Sequence, residues 1–395
     1  MESLVAPSPP PLPVRAIQSR ADRPRRWSLI DLLSRTVDAG IGLVTLVIGL
    51  AAISAIPLLN LLSLGYLLEA SRRVAETGSL FRGFPGLHKA ASVGKILIGA
   101  WLWWLPVRIV HGFWRDAELI SPGSQTSTGL RLLLVVLTLA IGAHVAWACL
   151  RGGKLLHFLW PAPGRFLRWI GEPGAWRDPS LRAARFVTGL RLTHYARLGV
   201  LGFAGALVWL APPVAILMAA SSLANPGASA LLSLVGGILL GVAALFVPFL
   251  QTRFAVTRRF SDFFDPVSGV VAFWKAPVAF WIALSAVLLF AIPLYLLKIE
   301  LTPRELAWLP NLFFVISIFP ARLLAGWAVG RSMRAHESGF RFTRLAGTLF
   351  ASLSALPVVA IYVFFVWLSQ YLSWHGVLGL WEQHAFLVPA PLFGL

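Results

Sequence analysis

Twenty-eight consecutive residues, Ile41 to Leu68, carry no charge: IGLVTLVIGLAAISAIPLLNLLSLGYLL. As a single helix rising about 1.5 Å per residue they would reach roughly 42 Å, well past a bilayer hydrocarbon core of about 30 Å. Pro57 interrupts the run, and charge stands at both ends: Arg35 and Asp38 before it, Glu69, Arg72 and Arg73 after it. We read a helix, a break near Ser54 to Pro57, and a second short helix returning to the side it came from. Whether residues 39–69 form a re-entrant hairpin or two short spans, the side on which the rest of the chain starts is the same.

Composition supports a membrane. Of 395 residues 57% are hydrophobic and 13% charged, against about 25% charged in a soluble domain. Seventeen Trp fit two interfacial belts. The net charge of +18 is dispersed among apolar runs, which makes anionic lipid headgroups the expected partner and leaves no case for nucleic acid. Cys149 is the single cysteine, so an internal disulfide and a thiolate metal cluster are excluded.

Residues 1–26 form a Pro- and Arg-rich tail without core-forming residues. The apolar run that follows is about twice the length of a signal-peptide core and has further spans behind it, so it reads as a retained anchor. Trp27 to Val37 has helical apolar spacing and is expected to lie in the interface ahead of the hairpin. A helical membrane domain occupies 27–372, with spans near 96–114, 132–150, 198–222, 229–250, 278–297, 309–330 and 347–372, and a short tail over 373–395. Asn225-Pro226-Gly227 marks a tight turn, and Thr302-Pro303-Arg304-Glu305 a helix start. The predicted fold is an all-α polytopic bundle: a Pro-broken hairpin, about seven transmembrane helices, and amphipathic helices at the interface.

Charge orients it. Segments 1–38, 69–95, 151–197, 251–277 and 331–346 hold 28 of the 34 basic residues. The positive-inside bias then puts the N-terminus in the cytoplasm and the C-terminus outside, in a multi-pass protein of the cell membrane. An internal repeat also emerges. Outward spans carry Pro106, Pro212 with Pro213, Pro293 and Pro357, while Asp178-Pro179 and Asp265-Pro266 open short amphipathic segments leading into such spans. Gly83-Phe84 and Gly339-Phe340 occupy the equivalent place in two other loops. Proline is common in membrane helices for its own reasons, so the repeat and the coincidence both stay open.

Pro57-Leu58-Leu59-Asn60, followed by Gly65-Tyr66 and a basic, Gly-rich loop, resembles a signature of prokaryotic polytopic membrane proteins of the domain-of-unknown-function 4013 type. The likeness covers about residues 57–95. It implies membrane architecture and says nothing of chemistry.

The predicted spans hold no Asp or Glu, which disfavours carboxylate-based ion coupling. HExxH, GxSxG and P-loop motifs are missing, so neither an enzyme nor a cofactor is expected. Arg108, His111 and Arg115 fall at i, i+3 and i+7 on one face of the outer half of span 96–114. They read either as an anion or lipid-headgroup site or as side chains snorkelling to the interface. Arg322 lies deeper, after Pro320, with no intramembrane carboxylate to pair it; backbone carbonyls, water or a bound phosphate are its candidate partners. Asn60, His144 and Asn311 are polar in apolar surroundings and are expected to bond between helices. Gly237 and Gly241, and Gly199, Gly202 and Gly205, offer close helix contacts. The basic, aromatic stretches 154–195 and 251–275 fit helices lying on anionic lipid. Transport or lipid handling inside the bundle, and a scaffold using its basic face, are the two competing readings, with a homo-oligomer or membrane partner left open.

Overall fold

A computed structural model describes residues 29–297, 308–335 and 341–372, together with Leu380. The tail over 1–26, the 302–305 helix start, Gly339-Phe340 and nearly all of 373–395 lie outside the described residues. Most of those described are helical, with no strand among them. In chain order the helices are α1 (Leu29–Ser54), α2 (Asn60–Thr77), α3 (Leu87–Ile120), α4 (Gln125–Leu150), α5 (Leu155–Leu159), α6 (Pro163–Ile170), α7 (Arg177–Thr188), α8 (Leu192–Ser221), α9 (Pro226–Thr257), α10 (Pro266–Lys275), α11 (Pro277–Leu297), α12 (Trp308–Arg334) and α13 (Arg341–Leu372). Among the described residues seven segments are long and apolar enough to cross a membrane, in α1, α3, α4, α7 with α8, α9, α12 and α13, and α10 with α11, bent by 112° at their junction, brings the number to as many as eight.

The hairpin is present. Its break spans residues 55–59, with Leu58 in the left-handed region at φ 67°. Of the Trp27 to Val37 stretch, the described part makes no separate helix: from Leu29 it runs unbroken into the apolar run. The start of α3 follows the end of α2 closely and lies against the first half of α1. There Lys95 bonds Asp38 at 3.0 Å, and a side chain on Gly94 would strike Thr45. The end of α2 is thereby returned to the side where α1 began.

Helix α2 is the hub, packed against α8, α12, α9 and α1. Small residues make the approach close enough. A Cβ on Gly65 would lie 1.8 Å from the Tyr195 carbonyl oxygen, one on Gly199 would lie 1.9 Å from that of Leu61, and one on Gly326 would lie 2.3 Å from that of Ser71. Tyr66, the next residue, donates from its hydroxyl to the Pro85 carbonyl at 2.9 Å and so ties α2 to the loop leading into α3. The Gly-Tyr pair thus has two distinct duties, close approach and loop anchoring.

The repeat has a backbone counterpart. After α2, Gly78 turns left-handed at φ 75° and a 3₁₀ turn over Leu80–Gly83 follows. After α9, Arg258 does so at φ 61° and the turn is Phe260–Phe264. In both, a threonine hydroxyl bonds back one helical turn and accepts the amide two residues on: Thr77 to Arg73 and Ser79, Thr257 to Arg253 and Arg259. The partner of Phe84-Pro85 is Asp265-Pro266. Asn225 caps α9, its side-chain oxygen accepting from Gly227 and Ala228, with Pro226 in the first turn.

Candidate functional site

Two places stand out, a polar layer around α2 and an apolar cavity beside α9. The polar layer lies where the charged half of α2 meets the start of α8 and the ends of α9 and α12, all on one side of the bundle. Ser71 and Thr252 hydroxyls are 2.9 Å apart. Next to Thr252, Gln251 accepts from Arg322 Nη1 at 2.6 Å and donates to the Gly202 carbonyl at 3.2 Å. Arg322 is 2% exposed and is the largest of the fully buried side chains. One guanidinium thereby joins α12 to α9, and through Gln251 to α8. Burying such a charge is tolerable only when it is hydrogen-bonded.

Two residues before Ser71 on α2, Glu69 is 1% exposed. Arg72 grips both its oxygens, at 2.8 and 2.7 Å, while Arg73 reaches it at 3.1 Å and His194 of α8 at 3.3 Å. Burial pushes this carboxyl up, but the hydrogen bonds from Arg72, Arg73 and His194, with the Arg72 charge, outweigh it and bring the pKa down to about 2. Arg72 also bonds Glu76, and Arg334 from α12 donates to the Ala75 carbonyl at 2.7 Å.

The other sequence candidates scatter. Arg108, His111 and Arg115 share a face of α3 and are all exposed, with Trp114 beside the His111 ring at 5.6 Å. His144 in α4 bonds the Phe158 carbonyl at 2.8 Å, and Trp103 of α3 donates to the same oxygen at 2.6 Å, so the pair clamps α5 onto the α3–α4 hairpin. Asn60 is buried at the start of α2, its carbonyl accepting from Ser63, and Asn311 is half-buried in α12.

Gln251, Glu69 and Thr252 were not among the sequence candidates. The signal for Gln251 was present, since it stands next to the 229–250 span, but α9 continues seven residues beyond that limit and carries it inside.

The cavity, about 350 Å³, follows α9 from Leu245 to Arg253 and is walled by α10, α11, α12 and α13. At one face it is sealed by Leu250, Phe280, Leu284 and Val329, all buried. Leu353 and Leu356 of α13 and Val270 of α10 line it from the other face and are 68%, 64% and 40% exposed, so it opens sideways on the outer surface of the bundle. Among the described residues Arg253 is the one charged side chain in the lining. It donates to Asp265 at 3.1 Å and faces Asp262 at 3.8 Å. Asp265 in turn caps α10, accepting from the Ser268 amide at 3.0 Å and the Ser268 hydroxyl at 2.5 Å, and these bonds with the Arg253 charge hold its carboxyl below the usual range. Among the described residues no group of His, Cys, Asp and Glu could hold a metal ion.

No family model, curated protein or solved structure matches the chain.

Proposed function

We propose that this multi-pass membrane protein handles lipid, taking a hydrocarbon chain from the bilayer into the cavity between α9 and α13. The observation that supports this reading is the sideways opening: an apolar chamber whose mouth is made of exposed Val270, Leu353 and Leu356 meets hydrocarbon, not water. Its volume falls within the range of about 300–1,000 Å³ typical of small-molecule sites. A transport route for a hydrated ion would want polar walls and an accessible charge. Arg322 instead is enclosed and committed to Gln251.

A second reading, a scaffold resting on anionic lipid, draws support from α6. Phe166 and Trp169 pack on Trp147 at 5.1 and 5.4 Å, while Arg165, Leu167, Arg168 and Ile170 are exposed. The two readings are compatible in an N-in, C-out orientation, with the basic strap on the cytoplasmic leaflet.

Purification of the full chain in a mild neutral detergent, followed by mass spectrometry of the lipid that stays bound, tests the proposal. Ala272→Trp, on the cavity side of α10, is expected to lower bound lipid several-fold, and unchanged lipid would refute the cavity. Loss on Arg322→Ala or Arg108→Ala, with Ala272→Trp silent, would move the site to those cations.

A further inference from the structure

Resting on the lipid-handling reading, the geometry points to the class of lipid: we infer that the cavity takes a phospholipid with a zwitterionic, primary-amine headgroup, its phosphate on Arg253 and its ammonium on Asp265 and Asp262. A chain lying in the cavity places its polar end beside Arg253, the one charged lining side chain among the described residues. That arginine does not stand alone. Two carboxylates face it within 3.8 Å, so the group carries one positive and two negative charges. A purely anionic headgroup would meet a net negative site and would have to compete with both carboxylates for one guanidinium. A headgroup bearing both signs meets each with its opposite.

The hydrogen-bonding capacities agree. Guanidinium offers five donors, more than the two carboxylates take, and phosphate is an acceptor only. A primary ammonium offers three donors, whereas a quaternary ammonium offers none. Asp265 is 40% exposed along its side chain and Asp262 10%, so Asp265 is the carboxylate within reach of an incoming amine. Ser268 donates to both its oxygens and Arg253 to one, which holds it in place as the α10 cap and leaves acceptor capacity on Oδ1, a carboxylate having about four acceptor sites. Asp262 is held by the Thr257 hydroxyl. The carboxylates are therefore positioned before any ligand arrives.

The experiment uses the full-length protein in neutral detergent with three photoactivatable phospholipids of identical acyl chains: phosphatidylethanolamine, phosphatidylcholine and phosphatidylglycerol. A diacylglycerol with the same chains is the fourth probe, and adducts are mapped to α9–α13 by mass spectrometry. Phosphatidylethanolamine is expected to label about tenfold more than the other two phospholipids, the worth of one charge-assisted hydrogen bond. Asp265→Asn keeps a good helix cap and should bring phosphatidylethanolamine down to the phosphatidylcholine level. Arg253→Gln should lower all three phospholipids and spare diacylglycerol. Equal or stronger labelling by phosphatidylglycerol, unaffected by Asp265→Asn, would overturn the headgroup assignment while leaving the cavity standing. Labelling by all four probes that ignores Ala272→Trp would overturn the cavity itself. Should Arg253→Gln fail to fold, the Asp265→Asn comparison decides alone.

Discussion

Helix α2 with the helices that pack on it, and the α3–α4 hairpin, both carry glycine among apolar residues, yet several of those glycines serve opposite ends. In α2 and its neighbours Gly65, Gly199 and Gly326 mark places where one backbone meets another, and twelve of the eighteen residues of α2 are buried. In α3 the first glycines, Gly94 and Gly99, still meet Thr45 and Phe158, but farther along α3 and in α4 Gly112, Gly129 and Gly142 have nothing near the position a side chain would take, and Phe113, Leu132 and Leu139 are more than 60% exposed. The first region is held by contacts within the protein. The second presents its surface to whatever surrounds the protein. Without a hydrophobic drive between helices in lipid, close packing and interhelical hydrogen bonds distinguish a hub from a periphery.

The largest effect that separates the two regions is expected from Gly65→Ala or Gly199→Ala. Each new methyl would sit within 2 Å of a carbonyl oxygen on the facing helix, and a backbone atom cannot swing aside as a side-chain tip can. Overpacking typically costs about 1–3 kcal/mol and occasionally more, and the upper end is expected here. Thermal or denaturant unfolding in detergent measures it, and a change under about 0.5 kcal/mol, the scale of an ordinary surface substitution, would show that α2 and α8 are not locked.

Next comes the polar layer. Gln251→Leu deprives the buried Arg322 guanidinium of one acceptor, at roughly 1.5–3 kcal/mol for a hydrogen bond to a charged group. Arg322→Met removes the charge and leaves the neutral Gln251 amide to satisfy, about 1 kcal/mol on the same scale. The order Gln251→Leu worse than Arg322→Met is the diagnostic result. The reverse order would mean that Arg322 stabilises the bundle through something other than its bond to Gln251.

These residues also show what could be read from the chain beforehand. The long apolar helices and the break at Pro57 were legible because uncharged runs and proline act locally, and a window of residues is enough to see them; that the first arm, Leu32–Ser54, is long enough to cross by itself, while the 278–297 stretch joins α10 in a bent pair, was not. Arg322 could be picked out within such a window too. Its partner could not. Gln251 stands just beyond the apolar run, beside Arg253 and Arg258, and nothing within a window says that α9 keeps going. Glu69 likewise borders on charge in sequence, and its burial comes from α8 supplying His194 across 125 residues. The repeat was visible as recurring proline, but its true equivalence, Phe84-Pro85 with Asp265-Pro266, lies in φ angles and threonine bonds that residue types do not spell out. The cavity had no local signature at all, since five helices contribute to it.

Glu69 gives a smaller, pH-dependent distinction. Its carboxyl is at about 2 in the folded protein against 4.5 when unperturbed. The folded state therefore binds that proton less readily than the unfolded state, and the stabilisation is complete above about pH 4.5 and lost as pH falls toward 2. Melting temperatures measured between pH 6 and 2.5 should fall more steeply for the native chain than for Glu69→Gln, which has no proton to take up. Parallel curves would mean that the Arg72 and Arg73 contacts contribute nothing to the charged form. The α3–α4 hairpin has no comparably buried carboxylate among its described residues: Asp116 is exposed and Glu118 half-buried.

The smallest expected effect is the one that tests the periphery. Gly112, Gly129 and Gly142 lie inside helices with open space where a methyl would go. Alanine favours a helix by about 0.8–1.0 kcal/mol over glycine in water, so each substitution should leave unfolding unchanged or raise its midpoint slightly. The same three variants should behave alike in detergent and in bilayer nanodiscs if lipid is all that covers this face. If one of them instead lowered stability in the bilayer by as much as Gly65→Ala, while remaining neutral in dilute detergent, the open space would be filled by another protein surface. The concentration dependence of the loss would then identify that surface as a second copy of this chain, because mass action makes the stability of an associating protein depend on its own concentration.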